Sequence, residues 1–331
     1  MSRLTGLLRV MAFGYVLGKS SLTDAYNQAN ASPNLIYELA LGGVLSATLV
    51  PLITRLHRER DEEGEVAVRS VAIVVLAALT VIAVAAAPLV FRLYASGISS
   101  DVDYDLYLEV GATLAAFFLV QIFFYGLNAL AAAELQARNR FFVAAWAPAL
   151  SNVVVIGTLL LVPGITDDQP AELGDVLTNS SLRLTLGLGA TIGIAVMALT
   201  LLPPLRRAKV PLAFRPDFRH PAVRQLRRLS GWALGYVLAN QVAIVVVQNL
   251  LVRSGEGNQT SYFNAYTFFV LPHGLLAMSI ATTFLPEMSR AVTDKDRPRF
   301  IARSSLGIRL VALLTVPAGF GLFVLRRPVI G

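Results

Sequence analysis

The sequence predicts an all-α polytopic membrane protein of about nine transmembrane helices: one six-helix lobe, then the first three helices of a second, pseudo-symmetric lobe. Three observations predict it. Of 331 residues, 55% are apolar and only 15% charged, and the mean hydropathy is +0.63; soluble domains carry about 45–50% apolar and about 25% charged residues. Nine segments are long and apolar enough, or nearly so, to cross a hydrocarbon core about 30 Å thick. The chain also resembles itself across its two halves. The lack of cysteine removes disulfide frameworks and thiolate metal sites, and three histidines leave little for a metal cluster, so no cofactor or metal is expected.

The nine segments, in order, are Leu4–Gly18, Pro33–Thr54, Ser70–Tyr94, Leu106–Ala133, Phe142–Val162, Leu182–Leu205, Leu229–Val252, Asn264–Pro286 and Ser304–Leu325. The first is short and carries Arg9, which admits three readings: a clipped helix, a cavity-lining helix, or a signal peptide ending near Ala29-Asn30-Ala31. Pro33, Pro51, Pro88, Pro148, Pro272, Pro286 and Pro317 lie in or at the ends of spans and mark kinks that cavity-lining helices tolerate. Gly14-xxx-Gly18 and Gly189-xxx-Gly193 have the spacing at which small residues let helices pack closely.

Charge placement orients the spans. The loops Arg55–Arg69, Glu134–Arg140, Arg206–Arg228 and Arg290–Arg303 hold four, two, eight and five basic residues, whereas the alternate loops hold only Lys19, Arg183 and Arg253. By the positive-inside rule the N-terminus and the basic loops are cytoplasmic. The net charge of +7 is therefore mainly a topology signal touching anionic lipid heads, and no nucleic acid is expected as a partner.

Val50-Pro51-Leu52-Ile53-Thr54-Arg55 aligns with Leu285-Pro286-Glu287-Met288-Ser289-Arg290. At the same shift Leu79-Thr80-Val81 meets Leu314-Thr315-Val316. Helices two and three thus resemble eight and nine, which makes the repeat six helices long and gives both copies one orientation. The expected domains are a lobe over 1–205, a basic linker over 206–228 and the opening of a second lobe over 229–331. Paired six-helix bundles are a transporter architecture, with a path between them, and the unfinished second lobe marks a fragment of a longer protein.

Ionisable residues in a membrane are costly and so are functional candidates. Arg3 and Arg9 stand about 120° apart in helical projection and share only a wide cavity; Arg3 also has a purely structural reading, with its head snorkelling to the lipid surface. Asp24 reads either as a helix N-cap or as a partner for Arg9, the latter requiring the chain to turn back near Gly18. Glu38 and Glu109 cap or pair locally. His273, beside Pro272, reads as a polar contact at a kink or as a proton relay. Asn30, Asn179 and Asn258 each head an Asn-x-Ser/Thr triplet on the outer side. No phosphate loop, zincin motif or Ser/His/Asp arrangement is recognisable, so an enzyme is not expected.

Ser2-Arg3-Leu4-Thr5-Gly6-Leu7-Leu8-Arg9, Gly18, Thr23-Asp24-Ala25, Pro33-Asn34-Leu35 and Val50-Pro51 together resemble the N-terminal signature of the MurJ/MviN lipid II flippases, a family of the multidrug/oligosaccharidyl-lipid/polysaccharide exporter superfamily. Gln121-Ile-Phe-Phe-Tyr-Gly126 and Trp146-Ala-Pro-Ala-Leu-Ser-Asn152 are similar to actinobacterial members. The resemblance implies fourteen helices in the whole protein, and alternating access that carries an undecaprenyl-diphosphate-linked peptidoglycan precursor across the bacterial cytoplasmic membrane. It also implies a cationic central cavity lined by the first, second, seventh and eighth helices. By position Arg3 and Arg9 then bind the diphosphate and Asp24 latches the outer side, with Asn34, Glu38 and His273 as weaker candidates. Membrane lipids and cell-wall synthesis proteins are the implied partners. The sequence departs from the family where cavity charges are expected, at Tyr37, Thr267 and Val270, so its cavity is less basic. The competing readings are an exporter of another polyprenyl-linked glycan or of a drug-like cation, and a non-transporting scaffold for cell-wall synthesis.

Overall fold

The computed structural model describes residues 2–18, 20–37, 49–94, 103–140, 142–167, 169–228 and 294–324, with isolated positions between 229 and 293; the side chains of 2–4, 7, 10, 34–37, 93 and 94 are not included. Among the described residues every regular element is helical. Two compact units divide the chain, Met1–Gln241 and Val242–Gly331.

In the first unit α1 (Ser2–Leu17) ends at Gly18, whose φ of +61° lies in the left-handed region that a residue without Cβ enters freely. α2 (Ser21–Tyr37) starts at once. Its cap is Ser20: the Thr23 amide donates to Ser20 Oγ at 3.2 Å, and the Thr23 hydroxyl donates to the carbonyls of Leu17 and Gly18 at 3.2 and 3.0 Å. The orphan groups at both helix ends are thus satisfied within one corner. The chain does turn back near Gly18, bringing Phe13 against Tyr26 with ring centroids 4.9 Å apart. Residues 21–32, read from sequence as lying between spans, are helical.

The stretch Arg55–Arg69, expected as a loop, is mostly helix. α3 (Val50–Glu59) stops at Arg60, whose φ is 57°, and Asp61 then caps α4 (Glu62–Ala85) by accepting from the Gly64 amide at 2.8 Å. The expected span from Ser70 therefore begins a full two turns earlier. α4 breaks at Ala86 and gives way to α5 (Ala87–Tyr94), with Pro88 in its first turn, where no amide is missed.

Asp103 caps α6 (Tyr104–Leu119) and a turn at Val120 separates it from α7 (Gln121–Ala137). α8 (Phe142–Leu159) contains Pro148, and short α9 (Val162–Ile165) and α10 (Asp175–Thr178) follow. Asn179 caps α11 (Ser180–Leu199), accepting from the Leu182 amide at 3.1 Å, which is the structural use of one of the three Asn-x-Ser/Thr triplets. α12 (Leu202–Arg207) closes the helical run.

The bundle is held by α8 on α11, α1 on α8, α2 on α6 and α7 on α4 and α11. One apolar core gathers Leu22, Tyr26, Phe91, Leu114, Phe118 and Leu159; a second, around Leu52, Ile53, Leu56, Val68 and Leu130, also buries Ala222 and Val223. Lipid tails are as apolar as leucine, so tight packing rather than exclusion from water orders these helices. A Cβ at Gly193 would lie 2.9 Å from Val155 Cγ2 and 3.0 Å from the Ser151 carbonyl, and one at Gly189 would strike Thr158, so this glycine pair does seat α11 on α8. The Gly14/Gly18 pair does not act so among the described residues: a Cβ at either meets none of them within 4 Å, and Gly18 serves the turn instead.

Among the described residues, four helical runs in this unit and one in the second, Arg297–Val324, are long and apolar enough to cross a membrane. In the second unit Arg303 also pairs with Glu287 at 2.8 Å. The expected spans Leu229–Val252 and Asn264–Pro286 lie outside the described residues except for isolated positions, as does most of Leu285–Arg290 of the internal repeat.

Candidate functional site: a polar cavity within the helical bundle

Arg9 lines a cavity of 260 Å³ within the first unit. α1 contributes Arg9 and Phe13, one turn apart; α2 contributes Tyr26, Asn27 and Asn30; α7 contributes Gln121 and Tyr125 from its first two turns. Val155, Ala190 and Ile194, from α8 and α11, close the apolar side. Among the described residues the lining carries a guanidinium with up to five N–H donors, three amides and two phenols, and no carboxylate. It is a donor-rich, positively charged pocket, suited to a small anionic group. Drug-sized ligands occupy about 300–1,000 Å³, so this space takes a headgroup fragment and waters rather than a large glycan.

Its walls are cross-linked by side chains from distant helices. Gln121, almost fully buried, donates to Asn30 Oδ1 and to Thr191 Oγ1, each at 3.4 Å, and the Thr191 hydroxyl reaches the Phe117 carbonyl at 2.9 Å. Asn152 donates to Thr5 at 3.1 Å, tying α8 to α1, and the Tyr107 hydroxyl donates to Gln28 at 2.8 Å, tying α6 to α2. Polar groups within a bundle at membrane depth are satisfied by such pairs because water is not at hand.

Of the residues singled out from sequence, Arg9 is placed in this cavity. Asp24 is exposed in the first turn of α2, where its charge suits the helix N-terminus; it neither caps the helix nor, among the described residues, pairs with Arg9. Arg3 and Asn34 lie on α1 and α2, their side chains outside the described residues, as is the Tyr37 side chain. Glu38, His273, Thr267 and Val270 lie wholly outside them. Glu109 borders a shallow groove with Arg92 and Asp105, away from Arg9.

Sequence reasoning did not place Tyr26, Asn27, Asn30 and Gln121 in a site, naming Asn30 only as the head of a triplet and Gln121 only within a family-like stretch. The first three fall in a stretch too polar to score as a span, and Gln121 is a single neutral amide in an apolar run. The available signal was the amide in an otherwise apolar segment, weaker than a charge.

A second polar cluster is fully paired. Glu134 accepts from Arg69 at 3.2 Å and from Arg138 at 2.7 Å; Arg138 also reaches Glu65 at 2.6 Å, and His57 lies 3.3 Å from Glu65. Arg69 further donates to the carbonyls of Pro211 and Ala213, and the Arg215 amide donates to Ser70 Oγ at 2.9 Å. Arg69 and Arg138 are thus buried counter-ions rather than loop charges. Two acids balance two arginines, as burial requires. Among the described residues no group of His, Cys, Asp or Glu is placed to hold a metal ion.

The profile of the family described as "Lipid II flippase MurJ" matches residues 13–331. The chain belongs to the lipid II flippase MurJ family. A lipid II flippase MurJ of Burkholderia cenocepacia is 27% identical over 333 residues, covering 99% of this chain and 62% of that one. A probable lipid II flippase MurJ of Vibrio cholerae is 27% identical over 344 residues, covering 100% and 62%. A solved structure titled "Lipid II flippase MurJ, inward closed conformation" superposes with a TM-score of 0.65 at 22% identity over 98% of this chain and 63% of that one, a likeness of MurJ fold. The chain spans somewhat less than two thirds of the length of these MurJ relatives.

Proposed function

We propose that this chain takes part in flipping lipid II, a polyprenyl-diphosphate-linked peptidoglycan precursor, across the bacterial cytoplasmic membrane by alternating access. The observation that carries the reading is the seat of Arg9: among the described residues the one charged side chain lining the polar cavity is an arginine, in a chain of the MurJ family. A guanidinium grips phosphate oxygens two at a time, and a water-poor surrounding strengthens that grip. In this reading Arg3 and Arg9 hold the diphosphate, and Asp24 latches the outer side, while the sugar and peptide lie outside the 260 Å³ pocket. The chain acts as a transporter with no chemical step of its own. Its about nine transmembrane helices are divided between a lobe over 1–205 and the opening of a second lobe over 229–331, joined by a linker over 206–228, with the N-terminus cytoplasmic.

The test is the accessibility of lipid II at the outer surface in cells depleted of the native protein and complemented with variants of the complete protein. Arg9→Ala is expected to lower outward lipid II by about tenfold or more, the worth of one charged hydrogen-bonded contact. Arg9→Lys, which keeps charge and loses the fork, falls between. Wild-type levels with Arg9→Ala, at equal protein abundance, overturn the role of Arg9. Asp24→Asn with unchanged flux removes Asp24 from the mechanism.

A further inference from the structure

We infer that the first unit carries a binding site for an anionic glycerophospholipid at the ends of α7, α8 and α12, separate from the Arg9 cavity. Two adjoining grooves meet there at Arg207. One, of 350 Å³, is lined by Leu135, Arg140, Phe142, Val143, Pro204 and Arg207; the other, of 470 Å³, by Leu199, Leu202, Pro203, Arg206 and Arg207. Three arginines thus stand over walls that are otherwise mostly apolar.

Their exposure leaves their guanidinium forks open to an anion. Arg140, Arg206 and Arg207 are exposed, and among the described residues none has a carboxylate partner. Glu134, the acid nearest in sequence to Arg140, is already shared between Arg69 and Arg138. Phe142 and Trp146 are exposed with ring centroids 6.1 Å apart, and the indole of Trp146, apolar with one N–H donor, suits the depth of lipid headgroups. A phosphodiester with acyl chains complements both features: its oxygens take the guanidinium forks and its glycerol and first methylenes lie along the leucine and proline walls. The basic loops place these grooves on the cytoplasmic leaflet. The inference holds whether or not lipid II is the cargo.

The test uses the purified 331-residue chain with Trp232→Phe, which leaves Trp146 as the single tryptophan among these residues. Trp146 emission is followed in nanodiscs containing bromine-labelled phosphatidylglycerol or bromine-labelled phosphatidylcholine. The anionic lipid is expected to quench half-maximally at about fivefold lower mole fraction, the preference of about one fully engaged basic residue. Arg140→Gln/Arg206→Gln/Arg207→Gln abolishes the difference, and the single variant Arg207→Gln lowers it about twofold. Arg58→Gln/Arg60→Gln/Arg224→Gln, which removes the same charge from other exposed positions, preserves it. Equal quenching by the two lipids in the parent, full preference in the groove variants, or equal loss in the control triple overturns the proposal.

Discussion

Arg69 and Glu134 meet at 3.2 Å with almost no access to water, although 65 residues separate them along the chain. Removing one member of such a pair strands the other charge, at a cost of about 3–5 kcal/mol. Glu134→Gln is therefore expected to lower the melting temperature of the detergent-solubilised protein sharply. Arg55→Gln, which breaks the exposed Arg55–Glu59 pair, shifts stability by no more than about 0.5 kcal/mol. Equal effects of the two substitutions would show that burial is not what gives Glu134 its weight.

The same Arg69 holds the extended segment after α12 through the carbonyls of Pro211 and Ala213. With Arg69→Met this strap loses its charged donor while the apolar stem is kept. Trypsin cleavage at Lys209 is expected to quicken about tenfold, the effect of about 1.4 kcal/mol on local opening. An unchanged digestion rate would mean that Ser70 and the buried Ala222 and Val223 suffice to hold the segment.

Gly193 sits against the Ser151 carbonyl, whereas Gly14 has open space where a Cβ would go. Gly193→Val is expected to cost about 1–3 kcal/mol by forcing α8 and α11 apart. Gly14→Ala, in the interior of α1, is expected to be neutral or to stabilise by up to about 1 kcal/mol. Thermal denaturation of the two variants side by side checks both signs.

Gln121 serves Asn30 and Thr191 at once. Hydrogen bonds between membrane helices average about 0.6 kcal/mol, so Gln121→Leu is expected to destabilise by roughly 1 kcal/mol or less. In the outer-surface lipid II assay its flux falls less than with Arg9→Ala, because it removes a neutral wall contact and leaves the charge. A larger loss than with Arg9→Ala would make Gln121 the principal contact.

The cavity was partly legible. Arg9 announces itself because a charge in an apolar run is costly enough to demand a purpose. Tyr26, Asn27 and Asn30 do not, since polar residues flanking a span look like a loop until the turn at Gly18 folds them back onto Arg9. The two glycine spacings read alike, yet one seats a helix and the other makes a corner, a distinction that depends on which neighbour approaches. Asp24 misled in a related way: its position beside Thr23 suits a cap, but Ser20 holds that place.

Composition and the length of the apolar segments by themselves determined that this chain is a helical membrane protein, because about twenty mostly apolar residues in succession have no stable place in water and the basic residues between them have none in lipid. Which polar groups face one another was decided only by tertiary structure. Arg69 and Arg138 read in sequence as loop charges and are buried counter-ions, while Arg140 and Arg207, of the same residue type, pair with no acid among the described residues. The physical reason is that a charge's energy depends on the distance to its partner and on its access to water, and both are properties of packed helices rather than of sequence separation.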